Sequence, residues 1–222
     1  MGSPQIGAPD PFNPDLVWNG FEYVKNQAEP RKFTPLHGPK AVHIDKLLRL
    51  IEPGNEHDLR EGLQDTPNRV AKAFTHWFGG YAIEPATLMK EFEDGGEKYD
   101  QMVMVRDIPI YSHCEHHLAP IFGTATIAYI PNGKIVGLSK LSRVADAFAR
   151  RLQVQERLTA QIADCIETTL KPKGVGVMIK ARHMCMESRG ICQQGHMTIT
   201  SALRGVLLSE VSARAEFMEL AR

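Results

Sequence analysis

The chain has no run of apolar residues long enough to cross a bilayer, and its N-terminus lacks a signal peptide's charged-then-apolar layout. It also has no excess charge of either sign. The 26 lysines and arginines balance 26 aspartates and glutamates. No global field therefore draws the protein to nucleic acid or anionic lipid, and an anionic ligand must be held by local basic clusters. Cysteine is scarce. Four cysteines in 222 residues do not suggest a disulfide scaffold. These absences predict a cytoplasmic, reduced setting without membrane or nucleic-acid partners, in which thiols stay free for metal. The length allows one large domain, or one domain with a small helical addition, and is enough to bury a sizeable core.

What is present is concentrated in two clusters, Cys114-Glu115-His116-His117 and His183-Met184-Cys185. A single turn of chain can set Cys114 beside His117, because residues three apart share one side of a helical turn. His183 and Cys185 follow a run that reads as a strand, where a spacing of two puts both side chains on one face. Thiolate and imidazole together suit Zn²⁺. Cys114, His117 and Cys185 would leave a fourth position open for water, as catalytic zinc sites do. Adding His183 would close a structural site instead. Two thiolates cancel the ion's formal charge, so a substrate activated by protonation would help, with His116 and His183 as candidate acids. His113 reads as a surface or packing histidine.

Along the chain, residues 1–38 hold six prolines and few periodic apolar positions. They read as an extended or mobile arm, or equally as a tag with an ordinary flexible terminus. Residues 39–97 read as a helical region. One helix runs from Ala41 to Ile51 and stops at Pro53-Gly54. A second starts at Asp65-Thr66-Pro67 and passes Val70, Ala73, Phe74 and Trp77 to Gly79-Gly80. Residues 98–222 form the remaining domain. Strands are expected over 102–105, 124–130 and 175–181, with the last of these carrying its face on to His183 and Cys185. A further strand covers 197–203. One long helix is expected from Leu141 to Leu170, with a stripe of Val144, Phe148, Leu152, Leu158, Ile162, Ile166 and Leu170. Helices first, then strands around a helix, make an α+β fold.

Two further groups suggest a nucleotide. Ser139, Lys140 and Arg143 stand at the start of the long helix, where cations oppose the macrodipole unless an anion sits there. Arg189, before Gly190, could add a bidentate phosphate contact. The bland alternative is solvated charge, with Ser139 as a helix cap. Gln155 falls inside the apolar stripe of that helix and Glu156 near its edge, with no basic residue three or four positions away to pair with. A carboxylate can accept two parallel hydrogen bonds from guanine, although Glu156 could equally pair across a subunit contact. Asp146 and Arg150 read as an ordinary surface pair. Cys165 reads as a core residue and Cys192 as a spare thiol or disulfide partner.

These stretches resemble the GTP cyclohydrolase I family over roughly residues 40–222. The matching segments are Cys114-Glu115-His116-His117, Gly137-Leu138-Ser139-Lys140, Arg151 to Arg157, His183-Met184-Cys185-Met186 with Arg189-Gly190, Thr200 to Gly205, and Thr66-Pro67-Asn68-Arg69-Val70. His113 before the first ligand and Val206-Leu207 near the end depart from the family pattern, at positions without assigned roles. The resemblance implies N-terminal helices followed by a tunnelling-fold (T-fold) domain of antiparallel sheet and long helices. It implies a homodecamer of two stacked pentamers with active sites at subunit interfaces. Its metal ligands are Cys114, His117 and Cys185, holding Zn²⁺. Triphosphate binding falls to Ser139, Lys140, Arg143 and Arg189, with Arg69 from a neighbouring subunit, and guanine binding to Gln155 and Glu156. His116, His183 and Ser139 handle protons.

The implied reaction opens the guanine five-membered ring of GTP, releases formate and closes 7,8-dihydroneopterin triphosphate, the first step of pterin and tetrahydrofolate-type biosynthesis. Two other readings compete. A reductase of 7-deazaguanine precursors would need a catalytic cysteine and a nicotinamide cofactor. A zinc-stabilised binding or regulatory protein would release no formate.

Overall fold

The computed structural model describes residues 16–18, 23–25, 37–52, 59–92 and 98–222. The chain divides into two compact units, Met1–His76 and Trp77–Arg222. In the first, β1 (Leu16–Trp18) and β2 (Tyr23–Lys25) pair antiparallel. The rest of the proline-bearing arm, apart from His37 and Gly38, lies outside the described residues. Helix α1 (Gly38–Ile51) opens with proline in its first turn, where a missing N–H costs nothing. It begins three residues before the expected Ala41, and the expected stop at Pro53-Gly54 lies outside the described residues. Helix α2 (Thr66–Trp77) starts at the expected Thr66-Pro67.

In the second unit, a short β3 (Glu91–Phe92) precedes β4 (Val103–Cys114) and β5 (Pro120–Ile130). The expected Glu93-Asp94-Gly95-Gly96 link lies outside the described residues. Next come β6 (Ile135–Val136), α3 (Leu138–Ala149), β7 (Leu152–Gln153), α4 (Gln155–Leu170) and β8 (Gly174–His183). The chain finishes with α5 (Met184–Glu187), β9 (Thr198–Gly205), α6 (Val206–Ser209) and α7 (Val211–Leu220). The main sheet runs β7-β4-β5-β8-β9 and is antiparallel except for the short β4–β7 pair. The architecture is α+β, as the element order predicts.

Strand alternation divides β8 between two cores. Val175, Val177 and Ile179 join Leu158, Ile162 and Ile166 of α4 in the larger cluster, while Met178 joins Leu207 and Phe217 of α6 and α7 in the smaller. Gly176 lacks a side chain because a Cβ there would stand 2.7 Å from the Phe217 ring. The two C-terminal helices had no counterpart in the sequence reading.

The expected single helix over 141–170 is two helices. At Arg150 the backbone leaves helical geometry (φ −76°, ψ 43°). Leu152 and Gln153 then pair in parallel with His113 and Cys114. Tertiary bonds take over from intrahelical ones. Gly80 N donates to Arg150 O at 3.0 Å, and Arg151 Nε to Gly80 O at 3.1 Å. The buried Gln153 amide donates to Phe148 O at 3.0 Å and to Gln161 at 2.8 Å. No glycine or proline marks this break, and the apolar period continues across it, so periodicity alone joins the halves. The strand expected over 102–105 runs on to Cys114 through a bulge at Asp107 (φ 55°), which shifts the register between Val105 and Ile108.

Candidate metal centre and active site

The end of β4, the start of β5 and the end of β8 meet at one edge of the sheet, since His113 pairs with Pro120 and Ile121 with His183. Between β4 and β5 the chain makes the expected tight turn. Leu118 N donates to Cys114 O at 2.8 Å, Cys114 N to Ala119 O at 2.8 Å, and Leu118 is left-handed at φ 54°. This turn presents Cys114 and His117 together. Cys185 arrives differently from the expectation. β8 ends at His183, and Cys185 lies in the short α5 rather than on the strand face. The one-face argument for His183 and Cys185 therefore fails, because the chain turns helical at Met184.

Ligand atoms of Cys114, His117 and Cys185 nevertheless lie within 4.8 Å of one another. Donors around one tetrahedral Zn²⁺, at about 2.0–2.3 Å from the ion, stand about 3.3–3.8 Å apart. The set thus fits a single ion after small side-chain adjustment, and its sulfur–nitrogen chemistry suits zinc. His183 is not in the group. Burial and the neighbouring Cys114 thiol raise the Cys185 thiol above its ordinary value, with Arg189 opposing. A cation beside the Cys185 sulfur would favour its thiolate and offset that burial.

His116 projects from the same turn, 63% exposed, with Nε2 3.8 Å from a Glu115 carboxylate oxygen. Glu115 itself accepts two bonds from Arg157 of α4, at 2.5 and 2.9 Å. This fork holds the Glu115 carboxyl below its usual range. Arg189 Nη1 donates to His117 Nε2 at 3.0 Å. Glu187, buried beside Cys185 in α5, pairs with Arg182 of β8, whose guanidinium lies over the Phe122 ring at 5.3 Å. His113 packs between Trp77 and Phe78, with ring centroids 5.0 and 5.1 Å away, and is a packing histidine as expected.

The helix break moves Gln155 and Glu156 from mid-helix to the first turn of α4. Glu156 is exposed there, and a carboxylate in a helix's first turn is favoured by the macrodipole. Gln155 is 1% exposed. Its amide nitrogen donates to Ile179 O, Thr198 O and Thr200 Oγ1 at 3.0, 3.0 and 3.1 Å, and its Oε1 lies 2.7 Å from His183 Nε2. Burial lowers the His183 pKa, Glu156 opposes this through its charge, and His196 adds to it.

Ser139, Lys140 and Arg143 lie on the first turns of α3, with Ser139 and Arg143 exposed and Lys140 half-buried. Gly137, not Ser139, is the N-cap. Among the described residues, no hydrogen bond or ion pair joins this group to the metal triad. Arg69 sits on α2, paired with Asp65 at 2.9 Å. Asp146 and Arg150 make the expected i,i+4 pair at 2.8 Å.

Sequence reasoning missed His196, whose two buried ring nitrogens have no hydrogen-bond partner among the described residues. It also missed Thr159 and Thr200, which meet at 2.6 Å beneath Gln155. No local pattern marks His196 or Thr159, and Thr200 enters only as the start of the Thr200 to Gly205 segment. Placing the start of α4 correctly would have exposed Arg157 as a first-turn residue able to reach Glu115.

Comparison with known proteins identifies the relatives of this chain. A family model described as GTP cyclohydrolase I matches residues 41–222. The GTP cyclohydrolase 1 of Janthinobacterium sp. (strain Marseille) is 59% identical over 184 residues, 83% of this chain and 93% of that protein. The GTP cyclohydrolase 1 of Nitrosospira multiformis is 56% identical over 173 residues, 78% of this chain and 91% of that protein. A crystal structure of the archaeosine synthase QueF-Like in the apo form is similar over 47% of this chain and 93% of its own, at TM-score 0.40 and 17% identity. With most of its length matched by that family model and by relatives of this identity, the chain belongs to the GTP cyclohydrolase I family of hydrolases.

Proposed function

We propose that this protein hydrolyses and rearranges GTP to 7,8-dihydroneopterin triphosphate with release of formate. The observation that carries the reading is the Cys114–His117–Cys185 cluster, in a chain 59% identical to a GTP cyclohydrolase 1. When bound there, Zn²⁺ supplies Lewis-acid activation of water.

The chain's own residues do the rest. Glu156 accepts the N1–H and amino hydrogens of guanine, with Gln155 beside it. Ser139, Lys140, Arg143 and Arg189 hold the triphosphate, joined by Arg69 of a neighbouring subunit. His116 protonates N7, which makes C8 electrophilic. C8 leaves as formate after a second hydrolysis. His183 and Ser139 then move protons as the ribose opens, rearranges and closes the new ring.

The same reading makes residues 1–38 an arm, 39–97 an N-terminal helical region and 98–222 a T-fold catalytic domain. It places the enzyme in the cytoplasm as a decamer of two pentamers, with active sites between subunits. The test is to incubate zinc-loaded protein with GTP and measure formate beside oxidised pterin fluorescence, with a chelated control. Equal amounts of both, abolished by chelation, are expected. Neither product with zinc still bound would sink the reading and favour a structural metal.

A further inference from the structure

The hydrogen-bond network under His183 is determined almost completely by which atoms can donate. Backbone carbonyls only accept, so the Gln155 group facing Ile179 O and Thr198 O must be the amide NH₂. The opposite amide orientation would set its oxygen against both carbonyls. Gln155 Oε1 therefore faces His183 Nε2 at 2.7 Å. An amide oxygen cannot donate, so Nε2 carries the hydrogen.

The hydroxyls beneath obey the same logic. Thr159 Oγ1 donates to Gln155 O at 2.7 Å, which uses its only hydrogen. Thr200 must then donate to Thr159 across 2.6 Å, leaving its lone pair to accept from the Gln155 amide at 3.1 Å. Each donor from Thr200 to His183 has a determined direction, and the chain crosses α4, β9 and β8. Both hydrogens of the Gln155 amide nitrogen are engaged inside the protein, shared among three acceptors.

We infer that Gln155 is a positioning residue that holds His183 in its Nε2–H tautomer and leaves the Nδ1 lone pair as the ring's free proton acceptor. This deepens the proposed function and rests on it for its kinetic consequence. It changes the part given to Gln155: the base is held by Glu156, while Gln155 orients the histidine. A neutral imidazole turned to the other tautomer would offer a proton where the reaction needs a base, so the effect falls on turnover and not on GTP binding.

The test joins spectroscopy with kinetics on the full chain. Protein labelled with ¹⁵N-histidine, with His183→Asn used to assign the resonance, is measured at about pH 8, above the ordinary histidine pKa of about 6.5. The native protein should show His183 with hydrogen on Nε2 alone. Gln155→Leu should show a mixture of tautomers, a kcat lower by about 10- to 100-fold as for other residues that orient a reactive group, and a KM for GTP within about twofold. Thr200→Val, one step further back, should give a smaller kcat loss with the same KM.

A native Nδ1–H tautomer would overturn the inference, even if Gln155→Leu fails to fold. A raised KM with kcat preserved in Gln155→Leu would overturn it in favour of base binding. If native protein shows the Nε2–H tautomer but makes no formate from GTP, the proposed function fails while the assignment of His183 stands.

Discussion

At the scale of single residues, the proposed function separates metal binding from proton transfer within the cluster. Cys185 contributes one of three donors gathered within 4.8 Å, whereas His116 is 63% exposed beside them and outside the donor group. Cys185→Ala should lose both bound zinc and formate production. His116→Ala should retain zinc and lose turnover, by about 10²-fold or more if it is the general acid. Metal content by mass spectrometry beside the formate assay checks both. Full zinc in Cys185→Ala would remove Cys185 from the ligand set. The other thiols differ in reactivity. Burial pushes the Cys165 thiol up, so it stays protonated at neutral pH, whereas Cys192 is exposed. Iodoacetamide should modify Cys192 well before Cys165, as peptide mass mapping would reveal; equal rates would contradict the buried position.

At the scale of elements, the informative feature is the break between α3 and α4. Much of the sheet was legible beforehand. The alternation of Val175, Val177 and Ile179 placed β8, and the Cys114–His117 spacing correctly implied a tight turn. Helical periodicity failed at Arg150, because the stripe from Phe148 to Leu158 keeps its phase while the backbone between them changes partners. Gly80 and the β4 edge are distant in sequence and invisible to a local pattern. The same limit hid the position of Cys185: a strand ending at His183 and one ending two residues later look alike in sequence.

Gly80 tests this stitching. A Cβ there would lie 2.1 Å from Ala147 O and 2.7 Å from Arg150 O. Gly80→Ala should destabilise the fold by about 1–3 kcal/mol, read from the denaturant midpoint. An unchanged midpoint would show that the break holds without this contact.

At the scale of the molecule, the sheet leaves its flanks open. Among the described residues, β7 covers β4 only at His113 and Cys114, and β9 has no outer neighbour. Tyr111 on β4 is 73% exposed, and Ile199 on β9 is 59% exposed. Long uncovered edges with apolar side chains invite pairing with another chain. A ring closed through its sheets would bring β9 of one copy to the β4 flank of the next. Ile199→Lys should therefore shift the protein to smaller species in sedimentation velocity, and under the proposed interface sites formate production should fall with it. A decamer that persists unchanged would place the assembly contacts elsewhere.

The pairing of Ile121 with His183 gives the metal cluster a further property. Cys114 reaches it through the β4–β5 turn, and Cys185 through the β5–β8 register. A slip of β8 by one residue would carry Cys185 about 3.3 Å along the strand and turn alternate side chains to the opposite face. The three donors would no longer close on one ion. Under the proposed ligand set, metal occupancy would be a checksum on strand alignment: chains with misaligned β8 would remain empty, and the fraction loaded after refolding would count the molecules that aligned β4, β5 and β8 correctly.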